Sequence, residues 1–189
     1  MKRASLLAAS AYSASGAAFQ GTTQSVTLYE VGERKLSLEY FYETLEDDLG
    51  EYLNFKIMLE NYDYSDWTRG DGFWIGISFG EETMAANPDA VMCYLESYDP
   101  DDDIDEHKFV CDDADLRGYG QPNSDTVDNL DPDLATGFWI PHATLPNDKV
   151  TLLANFRRLY NTGDAADYVF QSKTAVKLMW AFGEYDTKY

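Results

Sequence analysis

Leu53-Asn54-Phe55-Lys56-Ile57-Met58-Leu59-Glu60 decides the fold, because a large apolar residue takes every odd position and mostly polar ones take the even positions. A repeat of two is that of a strand with one buried face. On a helix the same residues would be scattered around the axis. Leu36, Leu38, Tyr40 and Tyr42 alternate in the same way with Ser37, Glu39, Phe41 and Glu43. Phe73, Ile75, Ile77 and Phe79 form a third run, closed by Gly80, and Val150, Leu152, Ala154 and Phe156 alternate with Thr151, Leu153, Asn155 and Arg157. Shorter candidate strands lie over 26–31, 90–95, 108–111, 136–140, 168–172 and 176–182. Turn-forming stretches separate them, among them Arg69-Gly70-Asp71-Gly72, Asn87-Pro88-Asp89 and Asn161-Thr162-Gly163-Asp164. About ten short strands without a helical repeat predict a single antiparallel β-sandwich of immunoglobulin-like type. A jelly roll or a closed barrel would write much the same pattern.

The chain's 189 residues, 44% of them apolar and 15% aromatic, suffice for one substantial core and therefore one domain. Its net charge of −20 repels phosphate backbones, which excludes nucleic acid as a partner class. Lys2 and Arg3, then Ala4-Ser5-Leu6-Leu7-Ala8-Ala9 and Ser15-Gly16-Ala17-Ala18, have the grammar of a signal peptide over 1–18. The expectation is a secreted protein, or one in the lumen of an organelle reached by the same route, with its domain over 19–189. No later segment approaches the roughly 20 apolar residues of a membrane span.

Two cysteines remain, Cys93 and Cys111, each within a short apolar run. In an oxidising compartment an even pair reads as one disulfide; the other reading is two separate buried thiols. Between them lies Asp99-Pro100-Asp101-Asp102-Asp103-Ile104-Asp105-Glu106. Asp99, Asp101, Asp103 and Asp105 place carboxylates at alternate positions, a spacing that can wrap calcium. The run lacks the sharp-bend glycine and the distal bidentate glutamate of an EF-hand loop, so a solvated hairpin loop is the competing reading.

Several segments in order resemble the DOMON family, the module found beside dopamine β-hydroxylase and as the cytochrome part of cellobiose dehydrogenase. They are Phe73-Trp74-Ile75-Gly76-Ile77-Ser78-Phe79, Met84-Ala85-Ala86-Asn87-Pro88-Asp89-Ala90-Val91, Val110-Cys111-Asp112-Asp113, Phe156-Arg157-Arg158 with Thr162-Gly163-Asp164 and Asp167, and Leu178-Met179-Trp180-Ala181-Phe182-Gly183. The resemblance spans about residues 25–185 and implies the sandwich. It also implies two uses. Some members hold haem b between a methionine and a histidine; Met84 matches the methionine, while the histidine expected beyond the Trp180-Ala181 strand has no counterpart. Other members are thought to bind sugars or to act as extracellular interaction modules.

Trp67, Trp74, Trp139 and Trp180, with the tyrosines, offer flat amphipathic faces for a pyranose or a protein partner, although most such rings fill cores. Trp67, between Asp66 and Thr68, is the one expected to be exposed. Glu39, Glu43 and Glu60 read as plain solvated carboxylates. Gly76 leaves room for close approach by a ligand or a crossing backbone. Arg158 is expected to clamp Asp164 or Asp167, with substrate binding as the alternative. No nucleophile elbow, phosphate loop or zinc spacing occurs.

These readings converge on a secreted, non-catalytic module that binds carbohydrate or an extracellular protein partner, self-assembly included. Trp67, Trp74, Met84, Arg158 and Trp180 are its candidate ligand contacts. No cofactor is required by it; calcium at the acidic run, or haem b on Met84 in an electron-transfer domain with a second ligand still to be identified, are the alternatives.

Overall fold

The computed structural model describes residues 12–14, 23–44, 51–80, 89–95, 109–115, 123–124, 136–141, 149–165, 167–171 and 174–186. Met84, the aspartates Asp99, Asp101, Asp103 and Asp105, and both histidines lie outside them.

Eleven strands and no helix are formed by the described residues. They are β1 (Tyr12–Ala14), β2 (Gln24–Val31), β3 (Arg34–Thr44), β4 (Glu51–Asp63), β5 (Asp71–Phe79), β6 (Asp89–Leu95), β7 (Phe109–Asp115), β8 (Asn123–Ser124), β9 (Thr136–Pro141), β10 (Lys149–Leu159) and β11 (Val176–Asp186). The four runs with the clearest alternation became β3, β4, β5 and β10. The strand expected over 168–172 did not form: Tyr168 to Gln171 run outside any ladder, tied back by the Phe170 N–H to the Tyr160 carbonyl at 3.0 Å. No helix among the described residues is long and apolar enough to cross a membrane.

Hydrogen bonding follows the order β1-β11-β5-β6-β7-β9-β10-β4-β3-β2, with β8 on β7. Every pairing is antiparallel. The path is weakest at β7–β9, where only Phe109↔Gly137 and Val110↔Thr136 pair. That seam divides it into two leaves, β11-β5-β6-β7 and β9-β10-β4-β3-β2. The leaves face each other, with Phe55 of β4 against Phe79 of β5 at 5.3 Å between ring centres, Tyr62 against Phe73 at 4.6 Å, and Tyr29 of β2 against Trp180 of β11 at 5.6 Å. The inward phase of each strand supplies this core: Leu36 and Leu38, Leu53 to Leu59 at odd positions, and Val150, Leu152, Ala154 and Phe156 are all buried. Burying each valine, leucine, isoleucine or phenylalanine side chain among them contributes roughly 1.5–3 kcal/mol.

One irregularity positions the leaf β10-β4-β3. Register shifts between Val150 and Leu152, opposite Tyr62 and Leu59, which is a bulge. Asn61 sits there at φ 57°, a left-handed conformation that asparagine tolerates better than most residues. Its Nδ2 donates to the Glu33 carbonyl at 2.7 Å, tying the bulge to the β2–β3 turn.

Candidate functional site

Buried positions claim most of the aromatic residues singled out above. Trp67 is only 8% exposed, which overturns the expectation of a free ring. Its polar neighbours belong to the turn, while the ring turns inward against Tyr62 and Phe73. Its Nε1 donates to Glu184 of β11 at 3.1 Å, and the Tyr62 hydroxyl donates to the same carboxylate oxygen. Burial, with the Glu184 contact adding to it, pushes the Tyr62 hydroxyl well above its ordinary value and keeps it a donor. Glu184 thus joins the two leaves at one end. Glu184→Ala is expected to cost about 1–3 kcal/mol by taking the acceptor from the buried Tyr62 hydroxyl, and Glu184→Gln less, because an acceptor remains; thermal unfolding of both variants checks this.

Trp180 is buried at 5% exposure with its Nε1 unpaired, stacked on Phe182. Trp74 is half-buried and covers Gly183, its cross-strand partner, where a Cβ would come within 3.1 Å of Nε1. At Gly76 the close approach comes from the Met92 thioether, which fills the space a Cβ would take. Cys93 and Cys111 are directly opposite on β6 and β7 and form a disulfide.

Arg158 continues the inward phase of β10 and is fully buried. It crosses between the leaves, with Nη1 donating to Asp89 Oδ2 at 2.6 Å and Nη2 lying 3.1 Å from Asp167 Oδ2. The clamp therefore uses Asp167, as expected, and Asp89 of β6, which the sequence did not offer as a partner. The Tyr168 N–H also donates to Asp89 Oδ2, at 2.7 Å. Burial pushes the Asp89 carboxyl above its ordinary value, opposed by the Arg158 guanidinium and that N–H. A guanidinium so enclosed presents no surface to a ligand; here it holds strands together.

The outward phase of β3, β4 and β10 is different in kind. Register sets Glu39, Lys56 and Asn155 in one row across the three strands, and Phe41, Asn54 and Arg157 in the next. These residues are half-buried. A groove of about 220 Å³ runs over them, lined by Thr23, Glu39, Phe41, Asn54, Lys56 and Asn155 above Phe55 and Phe156. The glutamates are not plain solvated groups. Glu39 lies 3.3 Å from Lys56, Glu60 lies 3.9 Å from Lys35, and Glu43 accepts from Asn54 Nδ2 at 3.0 Å with Arg157 Nη1 at 3.7 Å. Arg157 in turn covers the Tyr52 ring at 4.7 Å. The result is one apolar ring, Phe41, beside amide, ammonium and carboxylate groups held by one another in fixed positions.

Comparison with family models, curated proteins and solved structures returns no match. Function rests on the geometry. The groove was missed because it is built from the polar phase of three strands, residues that belong together only once their register is known.

Proposed function

We propose that this chain is a secreted, non-catalytic recognition module of DOMON-like sandwich type, and that it binds carbohydrate in the groove over β3, β4 and β10. The observation that carries the reading is the groove's donor set: a half-buried phenyl ring next to Asn54, Asn155, Glu39 and Lys56 on a rigid sheet. Sugars are recognised by that combination of an apolar ring face with planar amide and charged hydrogen-bonding groups. Strands about 4.8 Å apart give the three-strand row a width near 10 Å, room for a disaccharide. The charge of −20 favours neutral glycans over uronate or sulfated chains.

A glycan array followed by calorimetric titration tests the reading. Wild-type protein is expected to bind a neutral glycan; Phe41→Ala should weaken it about two- to tenfold, the loss of one ring contact of roughly 0.5–1.5 kcal/mol, and Asn54→Ala by a similar factor. Circular dichroism establishes that both variants fold. Absence of glycan binding at millimolar concentration, or equal affinity in wild type and folded variants, overturns it. An absorption spectrum of protein expressed with ample haem addresses the rival electron-transfer reading: a Soret band would favour that over sugar binding.

A further inference from the structure

Asp89 of β6, Asp113 of β7 and Asp167 beyond β10 converge at the end of the leaves, each offering a carboxylate oxygen within 4.8 Å of the others. All three are buried, at 7%, 2% and 9% exposure. Asp89 uses Oδ2 for Arg158 and for the Tyr168 N–H, whereas its Oδ1 is buried with no hydrogen-bond partner. An acceptor left unmade in so enclosed a place costs free energy, and more so when it carries charge.

We propose that Asp89, Asp113 and Asp167 form a binding site for a hard divalent cation, calcium ahead of magnesium. Three carboxylates and the Arg158 guanidinium leave a formal charge of minus two among these side chains, which one divalent ion neutralises. The donors are oxygen only, the set that suits calcium or magnesium rather than a softer metal. Oxygens within 4.8 Å of one another can share an ion at calcium's distances of about 2.3–2.6 Å, and calcium's flexible coordination suits ligands from separate segments better than the near-ideal octahedron that magnesium demands. Arg158 pairs with both Asp89 and Asp167, fixing ligands that come from separate segments. The ion would bind β6, β7 and the segment after β10 to one another. This site is distinct from the acidic run at Asp99 to Asp105, and it does not depend on the glycan reading.

Chelator-stripped, full-length protein titrated with calcium chloride in a calorimeter is expected to show one site, and saturating calcium should raise the melting temperature by about 5–10 °C. Asp113→Asn, which leaves both Arg158 contacts in place, should abolish the shift; Asp101→Asn/Asp103→Asn in the acidic run should retain it. If Asp113→Asn fails to fold, Asp167→Asn and the wild-type titration still decide. The proposal is overturned by the absence of calcium binding to the stripped wild type, by a shift that survives in folded Asp113→Asn, or by a shift lost only in the acidic-run variant. A stripped protein that ignores calcium but gains stability as pH falls would mean that protons neutralise these carboxylates, and that also overturns it.

Discussion

Arg158→Met is expected to lower the unfolding free energy by about 3–5 kcal/mol, the cost of removing one partner from a buried ion pair. The guanidinium is fully buried and its two carboxylate partners are nearly so, so neither Asp89 nor Asp167 can turn to water for compensation when it is lost. Phe79 and Phe170, whose rings lie 5.8 Å from the guanidinium carbon, would then border uncompensated charge. A loss of this size is a large part of the 5–15 kcal/mol that stabilises an ordinary domain, and it corresponds to a fall in melting temperature of about 6–20 °C. Adding Asp89→Asn and Asp167→Asn to Arg158→Met should restore much of it, because the penalty arises from orphaned charge more than from lost packing. Urea unfolding of both variants, in chelator so that bound metal does not contribute, measures the difference. A loss below about 1 kcal/mol for Arg158→Met would show that the clamp is dispensable.

Arg158 also marks how far the sequence could be read. Continuing the alternation Val150, Leu152, Ala154, Phe156 by one step puts Arg158 in the core phase, and a buried arginine needs carboxylates, so an internal clamp was legible. Asp167 lay close enough in sequence to be proposed. Asp89 did not, because it is reached across the core from another leaf, and strand order is not written in any local pattern. The same division runs through the fold. β4 and β10 were visible because buried and half-buried residues alternate along them, β3 because its sequence repeats the same period, and β5, buried at nearly every residue, because its large apolar residues recur at every second position up to Gly80. The stretch after Asp167 misled because Tyr168 and Phe170 also alternate, but they do so to anchor a strap, with Phe170 between Phe55, Phe79 and Tyr160. Trp67 misled for the opposite reason: its neighbours are polar because they form a turn, and the turn aims the ring inward at Tyr62. The groove was the least legible feature, since Phe41, Asn54 and Asn155 look like ordinary outward residues of three separate strands until register sets them side by side.

Cys93→Ala/Cys111→Ala is expected to cost about 3 kcal/mol, the loop-closure entropy restored to the unfolded chain when a link across 18 residues is removed. Relocating two buried sulfur atoms adds a smaller packing term, since Cys93 is fully buried and Cys111 only 4% exposed. The bond joins directly opposed residues of β6 and β7, the strands that carry Asp89 and Asp113, so its loss loosens the end of the leaf where those carboxylates converge. Burial makes a second, kinetic expectation. A thiolate must reach a sulfur to displace it, and a bond between two buried residues, flanked by Ile75 on the neighbouring strand β5, is reached only when β6 and β7 separate. Under native conditions dithiothreitol should therefore reduce it at the rate of global opening, and the rate should climb with urea along the same slope as unfolding. Mass spectrometry after thiol alkylation across a urea series reads this directly. Rapid reduction in the absence of urea would show that β6 and β7 open on their own, and the Arg158 clamp would then be holding a leaf that frays.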